Sequence, residues 1–460
     1  MRCTEERGSP VRPAIWSNRR CLPGSSNEFR IRATRSTIET AASPCSARGR
    51  AAELLVDAGT APPGTSNTEC PTISLSEILA QAKRCGTSPW WPDGIRVTKE
   101  FWMRGVDMTR DVLDGIHDSA DLIARLGPVN EKLGRLDTRT VEALRQSGVM
   151  HMLQPEEFGG IETHPGDFAE AVLEIARLDG AAGWVAGSVG VPPWALASAD
   201  RRLRDEVWEA DSDVWIASAH APAGVLLPVD GGYRLSGEWR SVAAIDHCEW
   251  VVVGARVVGD SEGLGYSLVP RADLRIDDES WNAIGLIGTG SKNITIDDVF
   301  VPGHRLLNHN GIVDGTAPGH VGLRNPIYHI PLSTIAPLGI TAAVIGMAEG
   351  ALAHHVEVAG GDGPVAEHAA AEIRASRLVL LDTLTESFNR VLDGPIDTVM
   401  RARARRDQIA AARRAVQAID EIVCHSNVEG LRRGNLVQRL WRDAHVGLAT
   451  VVTESRAVSP

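Results

Sequence analysis

The 460-residue chain lacks the short signatures that would declare its chemistry outright. It has no GxGxxG opening a helix, no GxxxxGK followed by Ser or Thr, no HExxH and no GxSxG. Its seven cysteines are Cys3, Cys21, Cys45, Cys70, Cys85, Cys248 and Cys424, and no pair has CxxC spacing. Five of them fall in the first 85 residues, so the body supports neither a zinc site nor a disulfide framework. Positive charge is also short: the formal net charge is -12, which speaks against nucleic acid or an anionic membrane as the main partner. No N-terminal stretch combines a positive start, an apolar run and a small-residue cleavage site, so no signal peptide is expected. The most apolar run, Ile335 to Ala353, contains Glu349 and three glycines and reads as a buried bundle helix rather than a membrane span. A cytoplasmic protein with reduced thiols is the expectation, with no metal.

What is present looks like an ordinary soluble enzyme, with 43% hydrophobic and 23% charged residues. A body of roughly 350 residues buries about three quarters of its unfolded surface, ample for a core. Residues 1–105 differ from the rest. The first fifty hold ten arginines, no lysine and four acids without an apolar period, so disorder is expected there, or a start codon placed upstream of Met103 or Met108.

From Asp107 the pattern is helical. Val112, Ile116, Ala120, Ile123 and Leu126 recur at three- and four-residue spacing, and further helices fit Thr140–Val149, Asp167–Leu178, Ala181–Val189 and Ala199–Ala210. From Asp213 short β-type runs take over: Val214–Ser218, Gly232–Leu235, Trp250–Val258, Gly265–Val269 and Asn293–Val301, with a hairpin turn at Asp230-Gly231-Gly232. Helices return over 332–358, 364–392, 397–427 and 434–449, broken at Gly360-Gly361 and Asp393-Gly394-Pro395. The expected organisation is α+β: a helical domain over 106–211, a central β domain over 212–325 and a helical bundle over 326–460.

Single residues carry weaker signals. The loop Gly288-Thr289-Gly290-Ser291-Lys292 resembles a phosphate cradle, but it leads into a strand, and a tight turn explains it as well. His247, between Asp246 and Cys248, reads as a structural residue before a general base or ligand. His445, on the last helix beside Arg442 and Asp443, suits acid–base work near neutral pH or a plain helix surface. The run Arg401, Arg403, Arg405, Arg406, Arg413 and Arg414 spreads over more than one helix face, as a solvated surface or subunit contact would. Trp239, Trp250 and Trp281 flank the β segments, where they can pack a core or stack on a planar cofactor.

Four stretches, in order, resemble one known family. They are Leu153-Gln154-Pro155-Glu156-Glu157-Phe158-Gly159-Gly160; Ser218 to Gly224 followed by Asp230 to Trp239; Ile245 to Trp250; and Trp281 through Gly285-Leu286 and Gly288-Thr289-Gly290-Ser291 to Pro302. The helical segment Gln438 to His445 adds a fifth. Residues 108–449 thereby resemble the acyl-CoA dehydrogenase-like flavin monooxygenases, which include the oxygenase components of hydroxyphenylacetate and steroid-phenol hydroxylases.

The resemblance implies an N-terminal helical domain, a central β domain and a C-terminal four-helix bundle, assembled as a homotetramer. It implies reduced FMN or FAD, supplied by a separate flavin reductase and held between the β domain and the bundle. O2 and a small aromatic substrate complete the reaction. By the same resemblance the cofactor lies against Trp239, Ser241, Ala243, Ala244, Gly290 and Ser291. The substrate lies against Pro192, Trp194, Ser218 and His220, and His445 is the catalytic residue.

The sequence departs from the family at several of these positions. Pro192 stands where many relatives have histidine, Ala243-Ala244 where relatives often have Ser-Gly, and Ile287 where arginine is frequent. Thr450 replaces a second histidine, and family character stops at Ala449, as a frameshift or truncation would produce. Two other readings stand beside the monooxygenase. An acyl-CoA dehydrogenase would need a carboxylate base, for which Glu349 is the nearest bundle candidate, and the departures also suit a catalytically impaired flavin-fold protein.

Overall fold

The computed structural model describes residues 99–259, 263–359, 363–426 and 428–457. The expectation for residues 1–105 therefore falls almost wholly outside the described residues, as does the break expected at Gly360-Gly361.

Helices open the described chain: α1 (Lys99–Asp118), α2 (Ala120–Leu133), α3 (Thr138–Ser147), α4 (Pro165–Leu178), α5 (Gly180–Val189), α6 (Pro192–Ala197) and α7 (Arg201–Trp208). Their boundaries follow local chemistry. The carboxylates of Asp137, Asp179 and Asp200 each accept an N–H of the first turn of α3, α5 and α7. Gly134 and Gly148 end α2 and α3 in the left-handed conformation. α6 is a helix the apolar period did not reveal; Pro192 and Pro193 open it, where a missing N–H costs nothing.

The chain then forms one seven-stranded sheet: β1 (Ile216–Val229), β2 (Gly232–Val242), β3 (Trp250–Val257), β4 (Leu264–Pro270), β5 (Arg275–Asp277), β6 (Lys292–Pro302) and β7 (Leu306–Leu307). Its order is β5-β6-β2-β1-β3-β4-β7, with β1 and β3 parallel and the other neighbours antiparallel. β1 runs eleven residues past the Ser218 limit expected from alternation (229 minus 218). Its pairing with β3 slips between Ala219 and Pro222 and again between Pro222 and Gly224, which is how a residue without an N–H is carried inside a sheet. Gly231, at φ +76°, makes the tight β1–β2 turn.

After β7 come two short helices, α8 (His309–Asp314) and α9 (Ala317–Val321), a 3-10 turn at Pro326–His329, and α10 (Leu332–Ile335). The helical part closes with α11 (Leu338–Ala359), α12 (Pro364–Asp393), α13 (Thr398–His425) and α14 (Leu436–Ala457). The single helix expected over 332–358 is split before Pro337, whose ring nitrogen has no hydrogen to donate. α14 continues unbroken through Thr450 to Ala457.

α11 sits at the centre, packed against α4, α5, α13 and α14. The segment Leu332–Val358 is long and apolar enough to cross a membrane, yet 83% of its most apolar window is buried within the fold. Its glycines permit the burial. A Cβ on Gly339 would lie 2.2 Å from the Gly187 carbonyl oxygen, so α11 and α5 meet backbone to backbone. The architecture is thus the expected one: N-terminal helices, a central sheet and a four-helix bundle.

Candidate functional site

The turn between β2 and β3 and the loop before β6 are joined. The Ala244 N–H donates to the Thr289 carbonyl at 3.0 Å, and Lys292 Nζ donates to Asp246 Oδ1 at 2.7 Å. The turn bends through left-handed backbone at Ser241 and Ala244, both at φ 57°. The loop bends through Leu286 at φ 53° and Gly290 at φ 58°. A side chain on Gly290 would strike Asp246 Oδ2 at 2.8 Å, so this glycine admits a carboxylate of its own chain. Thr289 Oγ1 lies 2.7 Å from Ser291 Oγ, and both residues are buried. Ala243, Ala244, Gly290 and Ser291 are therefore brought together.

Two other expected cofactor contacts stand apart from that junction. Ser241 is exposed, with its N–H on Asn293 Oδ1. Trp239 is 1% exposed. Its Nε1–H donates to the Gly254 carbonyl at 2.9 Å, and its ring fills the space that Cβ atoms on Gly224 and Gly237 would occupy. The ring is a plug of the sheet's inner layer.

On the other side, α6 packs on β1. Pro192 and Trp194 are both buried, and Trp194 Nε1 donates to the Ile327 carbonyl at 2.8 Å. Ser218 and His220 are half-buried on β1, and the His220 ring meets Tyr266 edge-on at 5.6 Å. Tyr266 in turn contacts His309 of α8 at 5.0 Å. The wall carrying Ile327 is pinned by Glu162, whose carboxylate accepts from Asn325 Nδ2 (2.8 Å) and the Tyr328 hydroxyl (3.2 Å). Burial raises the Glu162 carboxyl above its ordinary range, partly offset by these donors. Beyond that wall a cavity of about 570 Å³ is lined by Gly315, Thr316, Gly319, His329 and the end of α12. None of the residues expected to touch flavin or substrate lines it.

His445 lies on α14. Its Nδ1 is 2.9 Å from the Trp441 carbonyl, which only accepts, so that nitrogen carries the hydrogen. Its Nε2 faces Asp420 Oδ1 of α13 at 3.4 Å. The same oxygen accepts from Trp441 Nε1 at 2.8 Å. Asp420 is a member that sequence reasoning missed, since one carboxylate on an amphipathic helix carries no signal of its own.

α14 binds the loop through its opposite flank. Asp443 is two residues, about 200°, around the helix from His445. Asp443 is 4% exposed, and its Oδ1 accepts the Leu286 N–H at 2.5 Å. Burial, reinforced by Asp179, pushes its carboxyl up to about 7. Asp179 itself accepts from Asn130 Nδ2 at 3.0 Å and lies 3.9 Å from Arg439 Nε.

The remaining candidates have structural partners. Glu349 pairs with Arg377 at 3.2 Å. Arg401, Arg403 and Arg414 reach Asp314, Glu386 and Glu372 of the same chain. His247 is kept below its ordinary pKa chiefly by burial, and its Nε2 has no hydrogen-bond partner.

A helical block, a mixed sheet and a four-helix bundle, with a polar turn–loop junction where sheet meets bundle, define a flavoprotein of the acyl-CoA dehydrogenase-like class. The groups suit a flavin edge in kind: Ser218 offers a half-buried hydroxyl, Ala243 half-buried turn backbone, and Asp246 Oδ2 is a buried acceptor without a partner among the described residues.

Comparison with known proteins agrees. Residues 338–454 match the family described as acyl-CoA dehydrogenase, C-terminal domain. The chain is 40% identical to a pigment production hydroxylase of Rhodococcus erythropolis over 74% of this chain and 92% of that protein. It is 38% identical to the flavin-dependent monooxygenase oxygenase subunit HsaA of Rhodococcus jostii, over 69% and 88% of the two chains. The crystal structure of the HsaA monooxygenase from M. tuberculosis superposes with a TM-score of 0.72 at 36% identity, covering 76% of this chain and 96% of that one. The chain belongs to the acyl-CoA dehydrogenase-like flavin-dependent monooxygenases, as the oxygenase component of a two-component system.

Proposed function

We propose that the protein uses reduced FMN or FAD from a separate flavin reductase to hydroxylate an aromatic or polycyclic substrate, working in the cytoplasm as a homotetramer. When bound, reduced flavin would supply the two electrons that activate O2, of which one oxygen enters the substrate and the other leaves as water. The observation that carries the reading is the junction of the 241–245 turn, the 286–291 loop and α14 in a chain that aligns with such oxygenase components over most of its length.

In this reading the half-buried edge formed by Ser218, Ala243 and the turn backbone orients the polar rim of the flavin. The buried residues Pro192 and Trp194 close the substrate side and keep water out, which protects a reactive oxygen donor. Pro192 cannot take a proton, so a base on that side is missing, and His445 is the proposed base, supported by the tautomer that leaves its Nε2 without a hydrogen. Asp420 faces that nitrogen and holds the resulting imidazolium.

The acyl-CoA dehydrogenase alternative is disfavoured by the Glu349–Arg377 ion pair at 3.2 Å, which occupies the carboxylate with a guanidinium although burial raises its carboxyl above the ordinary range. The test uses the full chain with a flavin reductase, NADH and O2, offered a panel of phenols and fused-ring phenols. A separate arm offers acyl-CoA with a dye acceptor. Hydroxylated product from the phenol arm is expected. Dye reduction by acyl-CoA, or peroxide release with no product from any phenol, overturns the reading.

A further inference from the structure

Asp443 touches neither of the surfaces assigned above to cofactor and substrate, yet it lies where the bundle meets the cofactor loop. Leu286 is a junction within that loop. It is 2% exposed and held in left-handed backbone, a conformation that crowds any side chain bearing a Cβ. Its carbonyl accepts from Trp281 Nε1 (3.0 Å), Thr289 Oγ1 (2.7 Å) and the Thr289 N–H (3.1 Å). Its own N–H has gone to the Asp443 carboxylate. The hydroxyl of Thr289 then orders Ser291, and the Thr289 carbonyl receives the Ala244 N–H.

The fit around this contact is close on every side. A Cβ on Gly285 would sit 2.2 Å from the Arg442 carbonyl oxygen, and one on Gly180 would sit 2.8 Å from Asp443 Oδ2. Arg442 adds a second bond to the same loop, from Nη1 to the Ile284 carbonyl at 2.6 Å, and is itself anchored on Glu131 at 2.7 Å. A loop tied so tightly to a helix can move only with that helix. The carboxyl also tolerates the buried setting: with its proton affinity raised by burial, little uncompensated charge has to be hidden.

We propose that Asp443 is a positioning residue, holding Leu286 in its left-handed turn and so fixing the buried Ala244–Thr289–Ser291 junction that supports the half-buried Ala243 edge where reduced flavin binds. The role rests on the flavin reading of that edge. It requires an acceptor oxygen at Oδ1 and not a negative charge, which separates Asp443→Asn from Asp443→Ala.

Two readouts on the full chain test it. In protein without flavin, Asp443→Ala speeds hydrogen exchange of the Leu286 amide and its neighbours to Ser291 by at least about tenfold, and Asp443→Asn largely restores protection. In equilibrium binding, Asp443→Ala weakens reduced flavin by at least about tenfold, the scale of one hydrogen bond to an ionisable acceptor, while Asp443→Asn stays within about threefold. Gly285→Ala wedges loop from helix against the Arg442 carbonyl and the Asp443 backbone nitrogen, keeps the Asp443 carboxyl, and is expected to mimic Asp443→Ala. Leu384→Ala, a core truncation on α12, matches the loss of thermal stability while leaving flavin affinity unchanged.

Wild-type affinity in Asp443→Ala, or an equal loss in Leu384→Ala, overturns the positioning role. So does unchanged exchange at Leu286. Failure of the wild-type chain itself to bind reduced flavin would instead remove the underlying flavin assignment, and the exchange experiment would still report on the clasp.

Discussion

Asp179 links three elements at once, and removing it has a calculable cost. Its carboxylate caps α5 through the Ala182 N–H (3.2 Å), accepts from Asn130 Nδ2 of α2 and opposes Arg439 of α14. Asp179 and Arg439 are 1% and 5% exposed, so water cannot replace either partner. Breaking a buried pair by deleting one member costs about 3–5 kcal/mol, and losing an N-cap costs about 1 kcal/mol. Asp179→Ala should therefore destabilise the fold by about 4–6 kcal/mol. For a body of roughly 360 residues unfolding with about 2.1 cal/mol/K per residue, that lowers Tm by about 5–8 °C. Burial holds the Asp179 carboxyl above its ordinary range in spite of Arg439, so Asp179→Asn, which keeps the capping oxygen, is expected to lose less than half as much. Urea-induced unfolding followed by far-UV circular dichroism measures both. An unfolding free energy for Asp179→Ala within about 1 kcal/mol of wild type would refute the reasoning, because Arg439 would then be stable without its partner.

Two further outcomes follow from the geometry. Burial pushes the Asp167 carboxyl up to about 6, with Thr109 opposing and Glu170 adding to the rise. A raised carboxyl favours the folded state below the unfolded pKa near 4 and withdraws that advantage as pH climbs through 6. Wild-type stability should thus fall by about 1–3 kcal/mol between pH 4 and 6.5 from this group, and Asp167→Asn should abolish that fall and be the more stable protein at pH 7.5, as urea midpoints at stepped pH would report. Gly339→Ala places a methyl 2.2 Å from the Gly187 carbonyl and should cost at least 1–3 kcal/mol or block folding. Gly319→Ala meets nothing within 4 Å and should be silent, so equal melting temperatures would show that α5 and α11 separate freely.

Helices with one apolar stripe were legible in the sequence, because the 3.6-residue period survives any detail of packing. α4 and α5 lie within two residues of where that period put them. β1 was cut short in the reading because Pro222 and Gly224 interrupt alternation, and only its parallel partner reveals that bulges carry the strand through. α6 and α10 are too short for a period to form. At the site, the family motifs pointed to Ala243, Ala244, Gly290 and Ser291 as neighbours, and their joining depends on one hydrogen bond, Ala244 to Thr289, that no spacing rule encodes. Asp420 and Asp443 were opaque for a related reason. A carboxylate's role is set by what faces it across the fold, here His445 in one case and a backbone amide in the other.

The fixing of Tyr328 and Asn325 on Glu162 has a consequence for how this enzyme can change. Leu306 and Leu307 are stitched to Ser267 and Tyr266 at the sheet edge, while Asn325 and Tyr328 are bolted to Glu162. The stretch from 308 to 324 hangs between these two posts like an interchangeable panel. Within it, buried Ile312 and Ala317 and the Arg401-bound Asp314 tie the stretch to the fold, so change is confined to its other exposed positions. Those positions, such as Thr316 and His320, are the ones open to change while both posts stay in place.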